Sequence, residues 1–205
     1  MGYTTDFLGH LEVTPSFNDA EAEYLTAFAA SRRCWRPGGP YEVPGNPRAE
    51  ELPTDVSNRV ATGQPGYWCD WVPCWDGCCI SFTGREKFYD PVAWLVYLRD
   101  HFLAPGAKAG ASGLPAFRDF TFDHQINGLV VMNRRDTREM SAIVVVDNAI
   151  EKVVMVPGVP EKFVWGPLPY EEEEDRWRNR SRKVEAERAR RALDDIAALQ
   201  GRTSA

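Results

Sequence analysis

The chain lacks an apolar stretch long enough to cross a bilayer, which takes about 20 residues as a helix; none occurs in its 205 residues. Its opening, MGYTTDFLGH, has neither the basic start nor the apolar run of a secretory signal. Asp6 stands where an N-myristoylation pattern needs Ser or Thr. Histidine is scarce: His10, His101 and His124 are the only three, which leaves few bases for a cysteine nucleophile and few nitrogen ligands for zinc. Basic charge does not dominate, since 24 Lys and Arg face 30 Asp and Glu for a net charge of −6, and a chain meant to coat nucleic acid would carry the opposite balance. There is no phosphate-binding GxxxxGK[ST], no GxGxxG after a strand, no HExxH, no GxSxG and no internal repeat. The expectation is a soluble, cytoplasmic protein with reduced thiols, no cofactor and no membrane partner.

Hydrophobic residues make up 43% and aromatic ones 12%, enough for one sizeable core and an appendage. Residues 3–13, YTTDFLGHLEV, alternate, with Phe7, Leu11 and Val13 on one face, and read as a half-buried strand. Asn18 followed by Glu21 forms a capping box that opens a helix with a stripe of Ala22, Leu25, Phe28 and Ala29. Residues 35–66 hold six prolines and five glycines and read as a long, extended loop, functional or a linker. Asp90 and Pro91 start a second helix carrying Leu95, Leu98 and Phe102. Residues 104–118 read as a flexible Gly/Ala loop, 117–133 as a strand region bent near Gly128, and SAIVVVDNAIEKVVMV as a hairpin turning at Asp147-Asn148.

This order is β-α-β-β-α-β plus a β-hairpin, which predicts an α+β fold. Its core would be a ferredoxin-like antiparallel sheet with both helices on one face. The compact domain would span 1–157, with 158–169 as linker. Residues 170–200 read as a long charged helix with an acidic first turn. Residues 171–205 hold nine acidic and nine basic side chains, and the apolar positions are sparse. Such a helix gains little from folding alone, so it should dock on the body, on a copy of itself or on a partner.

WCDWVPCWDGCCISF, residues 68–82, contains four of the five cysteines and three of the seven tryptophans. A hairpin explains most of it: a turn at Asp76-Gly77 sets Cys74 against Cys79, and one at Trp75-Asp76-Gly77 sets Cys74 against Cys78. Either pairing would permit a cross-strand disulfide in an oxidising setting. The spacing C-x4-C-x3-C-C is not that of paired zinc knuckles. In a strand, adjacent Cys78 and Cys79 would point to opposite faces. The expectation is no metal, with Cys69, Cys74, Cys78 and Cys79 as the candidates should one bind. A Cys–His101 dyad, or carboxylates around Asp70, Asp76, Glu86 and Asp90, would be the enzymatic alternatives; caps, turns and a satisfied buried histidine explain the same residues more simply.

GYTTDF, the frame YWCDWVP..DG..ISF, KFYDPVAWLVYLRDHFL and IVVVDN together resemble a set of small hypothetical proteins of actinobacteria, other bacteria and their phages. The resemblance covers most of 1–33, 66–103 and 119–156. It implies a shared α+β domain and a bacterial or phage setting, and brings no activity, cofactor or catalytic residue. In that set the positions matching Cys74, Cys78 and Cys79 are not cysteines, and loop 35–66 and the charged tail are additions of this member.

The function expected is that of a non-enzymatic interaction protein. It would bind a protein partner or itself through the C-terminal helix (Trp177, Arg180, Val184, Arg188, Leu193, Ile196), loop 35–66 and the hairpin tryptophan Trp75. The second reading is nucleic-acid binding by the Arg-rich run 176–191 with the sheet as a stacking platform. The third is a small enzyme.

Overall fold

Phe7, Leu11 and Val13 do share one face of a strand, β1 (Thr5–Thr14), and that face meets the core. The computed structural model describes residues 4–45, 53–159 and eight positions between Arg176 and Arg191. The chain divides into two units, Met1–Phe163 and Val164–Ala205, and the fold below is that of the first. It is α+β. After β1 come α1 (Asp19–Ala30), a single turn α2 (Thr54–Ser57), β2 (Trp71–Pro73), β3 (Cys79–Phe82), α3 (Pro91–Leu98), β4 (Gln125–Arg134), β5 (Met140–Val146) and β6 (Ala149–Val156). The six strands form one sheet in the order β2-β3-β1-β4-β5-β6, and every neighbouring pair is antiparallel.

Helix α1 begins as its capping box predicts. The Asn18 side chain accepts from the Glu21 amide at 3.0 Å and Glu21 returns a bond to the Asn18 amide at 2.9 Å. Its Leu25, Phe28 and Ala29 are buried, and α3 adds Trp94, Leu95 and Leu98 to the same core. From the sheet, Leu11, Val13, Ile80, Ile126, Val130, Met132, Ile143 and Val145 meet them. Burial on that scale drives the fold, at roughly 2 kcal/mol for each large aliphatic side chain.

The close approach of β1 and β4 depends on two glycines. Gly9 (φ +115°) and Gly128 (φ +134°) take a backbone conformation that L-residues avoid, and a Cβ at Gly9 would stand 2.5 Å from the Leu129 carbonyl oxygen. The β5–β6 turn uses Asp147 (φ 49°) and Asn148 (φ 66°), the tight hairpin turn expected from the sequence.

Four expectations need correction. Asp90 precedes α3 in the left-handed region (φ 53°) and its side chain makes no cap bond. Residues 104–118 are not wholly irregular: 3-10 turns at Lys108–Ser112 and Pro115–Phe117 bury Ala109 and Phe117. Residues 120–124 precede β4 rather than belong to it.

The fourth is loop 35–66, whose described parts are anchored to the body and not simply extended, with Arg36, Ala61 and Gln64 buried and Trp35 exposed. Arg33 is fully buried and its guanidinium donates to Ser31 Oγ (2.7 Å), Gln64 Oε1 (3.3 Å) and the carbonyls of Pro40 (2.7 Å) and Glu42 (3.1 Å). Tyr24 donates to the Tyr41 carbonyl at 2.7 Å. A buried cation held by neutral oxygens ties both ends of the loop to α1.

The predicted charged helix over 170–200 lies largely outside the described residues. The eight described positions there have helical backbone, and a continuous long helix is not part of the described fold. No described helix is long and apolar enough to cross a membrane.

Candidate functional site: the thiol hairpin and the open sheet face

The β2–β3 hairpin carries the cysteines as the sequence suggested, in the register that sets Cys74 against Cys79: the Cys74 amide donates to the Cys79 carbonyl at 2.9 Å. Gly77 closes the turn, its amide donating to the Cys74 carbonyl at 3.1 Å with φ +74°. The turn is fixed from outside as well. Val13 N–H donates to the Cys78 carbonyl at 2.8 Å and Phe17 N–H to the Gly77 carbonyl at 3.0 Å.

Here the expectation that Cys78 and Cys79 diverge fails. Strand β3 begins at Cys79, so Cys78 belongs to the turn and strand alternation does not apply to it. The left-handed Gly77 swings Cys78 back, and the sulfur atoms of Cys74, Cys78 and Cys79 all lie within 4.8 Å of one another. Cys74 Sγ and Cys78 Sγ are 3.7 Å apart. Asp76 Oδ1 accepts from Cys74 Sγ at 2.9 Å and from Cys78 Sγ at 3.1 Å, and the Cys79 amide donates to Cys74 Sγ at 3.0 Å. The bond to the Asp76 carboxylate, with help from Cys74, raises Cys78 to about 11; burial and the Cys74 contact raise Cys79 to about 12. The same thiol donors hold Asp76 below the ordinary carboxylate range. Cys69 is elsewhere: fully buried, its thiol pushed up to about 12 by burial, 3.9 Å from the Trp71 carbonyl.

The tryptophans divide as their positions dictate. Trp71 is core, with Nε1 donating to the Pro91 carbonyl at 2.9 Å, and Trp68 lies half-buried with the Arg85 guanidinium 4.2 Å above its ring. Trp75, on the turn, is 97% exposed.

No cysteine–histidine hydrogen bond occurs among the described residues. His101 Nδ1 shares a hydrogen bond with the Tyr41 hydroxyl at 2.6 Å, and burial, with the Lys108 ammonium nearby, pushes its pKa down to about 4. His124 lies 3.0 Å from Glu21 and bonds the Pro15 carbonyl at 2.8 Å. The carboxylates of the enzymatic alternative are not brought together either. Asp70 is buried against Arg85 (3.4 Å) and Thr83, whereas Asp90 lines a cavity of ≈ 420 Å³ beside Phe88, Met132, Glu139 and Lys152 that Asp70 does not reach. The Lys152 ammonium there is already engaged by Glu139 at 2.6 Å.

Sequence reasoning missed the second feature, the face of the sheet opposite the helices. Leu8 pairs with Val131, Val131 with Ala142 and Ala142 with Val153, so four aliphatic side chains form a lateral row across β1, β4, β5 and β6. His10, Leu129, Val144 and Glu151 form the next row. Leu8 is 75%, Leu129 49% and Val153 40% exposed. The row ends at β6, an edge strand with Val153, Val154, Met155 and Val156 exposed in succession. Among the described strand residues this face holds no Phe, Tyr, Trp, Lys or Arg. The signal was in the sequence, as aliphatic residues at both parities of β4 and β5, but only strand order shows that they adjoin.

Comparison with protein-family models, with curated proteins and with solved structures gave no match.

Of the tail positions proposed for partner binding, Arg180 is exposed and Val184 44% exposed in helical backbone; Trp177, Arg188, Leu193 and Ile196 lie outside the described residues.

Proposed function

We propose that this chain is a non-enzymatic interaction protein of bacterial or phage origin. Its first elements would form a ferredoxin-like core, and its open sheet face and β6 edge would receive an extended, apolar segment of a protein partner. The observation that carries this reading is the aliphatic row Leu8–Val131–Ala142–Val153 ending on β6, the edge strand of the sheet among the described residues. Edge strands are normally blunted by charge, proline or a covering element. β6 presents its outward-facing main-chain donors and acceptors, with Glu151 and Lys152 at its middle and the exposed apolar run Val153 to Val156 beyond them. An added strand satisfies that ladder, and its apolar side chains extend the row. Trp75 and the tail positions Trp177, Arg180, Val184, Arg188, Leu193 and Ile196 supply further contacts in this reading. Loop 35–66 contributes less in this reading, because Arg33 and Gln64 tie its described parts to the body, and Trp35 is the large apolar side chain it leaves exposed.

A nucleic-acid partner finds little support on the sheet, where stacking rings and cations are what such a platform needs. The test is photo-cross-linking in cells from a benzophenone side chain at position 153 of the full-length chain, with position 108 as control. One dominant adduct with a different protein, formed from 153 and not from 108, is expected. An adduct with a second copy alone, an adduct with nucleic acid, or none overturns the reading.

A further inference from the structure

We propose that Cys74, Cys78 and Cys79, with Asp76, form a binding site for a thiophilic d10 cation, zinc(II) first among them. This assignment is independent of the interaction reading above.

Three geometric observations carry it. First, the spacing of the sulfurs is that of ligands and not of a bond. Zinc–thiolate bonds of about 2.3 Å in a tetrahedron place sulfurs about 3.8 Å apart, and Cys74 Sγ to Cys78 Sγ measures 3.7 Å. A disulfide would use two sulfurs at about 2.05 Å and leave the third without a role. Second, the donor set is complete for a four-coordinate site. Three sulfurs lie mutually within 4.8 Å, and a carboxylate oxygen is within hydrogen-bond reach of two of them. Soft thiolates select zinc or copper(I) over calcium or magnesium, and a single carboxylate is compatible with zinc.

Third, the site is built before the ion arrives. The turn backbone is held by Val13 and Phe17, and a Cβ on Gly77 would stand 2.6 Å from the Phe17 carbonyl oxygen, so the turn cannot easily relax. The Cys79 amide already points at Cys74 Sγ, the supporting contact that a thiolate ligand uses. Cys78 is exposed and gives the ion an entry path.

Binding moves protons but no electrons. Each thiol gives its S–H proton to solvent and its sulfur pair to the cation, and Asp76, which accepts thiol hydrogens beforehand, turns an oxygen to the cation or to a water upon it. Because each thiol must give up its proton to bind, loading must strengthen as pH rises.

The test uses reduced, tag-free, full-length protein titrated with cobalt(II) under anaerobic conditions. The expected result is one cobalt per chain with a strong sulfur-to-cobalt charge-transfer band. Zinc displaces it, protons are released on loading, and iodoacetamide labelling of Cys74, Cys78 and Cys79 is suppressed. Cys78→Ser should abolish the band, and because Cys78 is exposed its thermal unfolding should match wild type. Asp76→Asn should weaken zinc binding about 10- to 100-fold while keeping the thiolate band. Absence of the band, its survival in Cys78→Ser, or a stoichiometry of two chains per cobalt overturns the assignment.

Discussion

Asp76 Oδ1 stands 3.1 Å from Cys78 Sγ and accepts its hydrogen, so an exposed thiol is held protonated by a neighbouring carboxylate. That contact is the first cause of the rise of Cys78 to about 11. Asp76→Asn removes the negative charge and should lower the Cys78 thiol towards its ordinary range. Metal-free protein should then alkylate at Cys78 several-fold faster at pH 7.5, read by mass spectrometry of time points. An unchanged rate contradicts the account of the turn. Cys34 and Cys69, both buried, should stay unlabelled until the protein unfolds.

Acid should destabilise the fold through two groups. His101 titrates at about 4 in the folded state and near 6.5 when unfolded. Between those values the unfolded chain binds more protons, so stability is full above about 6.5 and falls as pH drops towards 4. Glu21 adds a lower window. Burial alone would raise it, but the Thr121 and Asn18 amides and His124 more than offset that and hold it below the ordinary range. Its contribution is present above the unfolded value and is lost as pH falls through the folded one. Urea midpoints measured from pH 7 to pH 4 should decline, and His101→Gln should flatten the upper part of that decline.

Glu21→Ala should cost about 3 kcal/mol or more, because it leaves His124 buried without its carboxylate partner and strips acceptors from the Asn18 and Thr121 amides. Chemical denaturation reads this directly. A loss below about 1 kcal/mol would mean that the Glu21 cluster does not hold α1 to the segment before β4.

Gly9→Ala should cost about 3 kcal/mol, through both the left-handed backbone and the contact with the Leu129 carbonyl. Gly39→Ala, at φ +91° but with nothing within 4 Å, should cost less, and the difference between the two melting temperatures isolates the β1–β4 contact.

What the sequence made legible was local. The capping box at Asn18 and Glu21, the alternation of β1 and the Asp147-Asn148 turn each depend on residues within a few positions of one another, and all three form. The Asp90-Pro91 signal placed the start of α3 correctly, but Asp90 takes a left-handed backbone there and its side chain makes no cap bond. The described parts of loop 35–66 are packed through Arg33, Gln64 and Tyr41, contacts between residues far apart in the chain that composition does not reveal. The thiol cluster was hidden by an assumption of strand alternation that Gly77 breaks. The aliphatic row across the open face emerges only when the strand order brings Leu8, Val131, Ala142 and Val153 side by side.

The most direct measurement of the central claim is cross-linking from position 153 in the full-length chain, repeated with Leu8→Asp. Leu8 lies three strands away on the same row and, being 75% exposed, tolerates the charge without disturbing the core. The account predicts one partner adduct from 153 that weakens at least several-fold when Leu8 becomes Asp. An adduct indifferent to Leu8→Asp, or equal labelling from a control surface position, would contradict it.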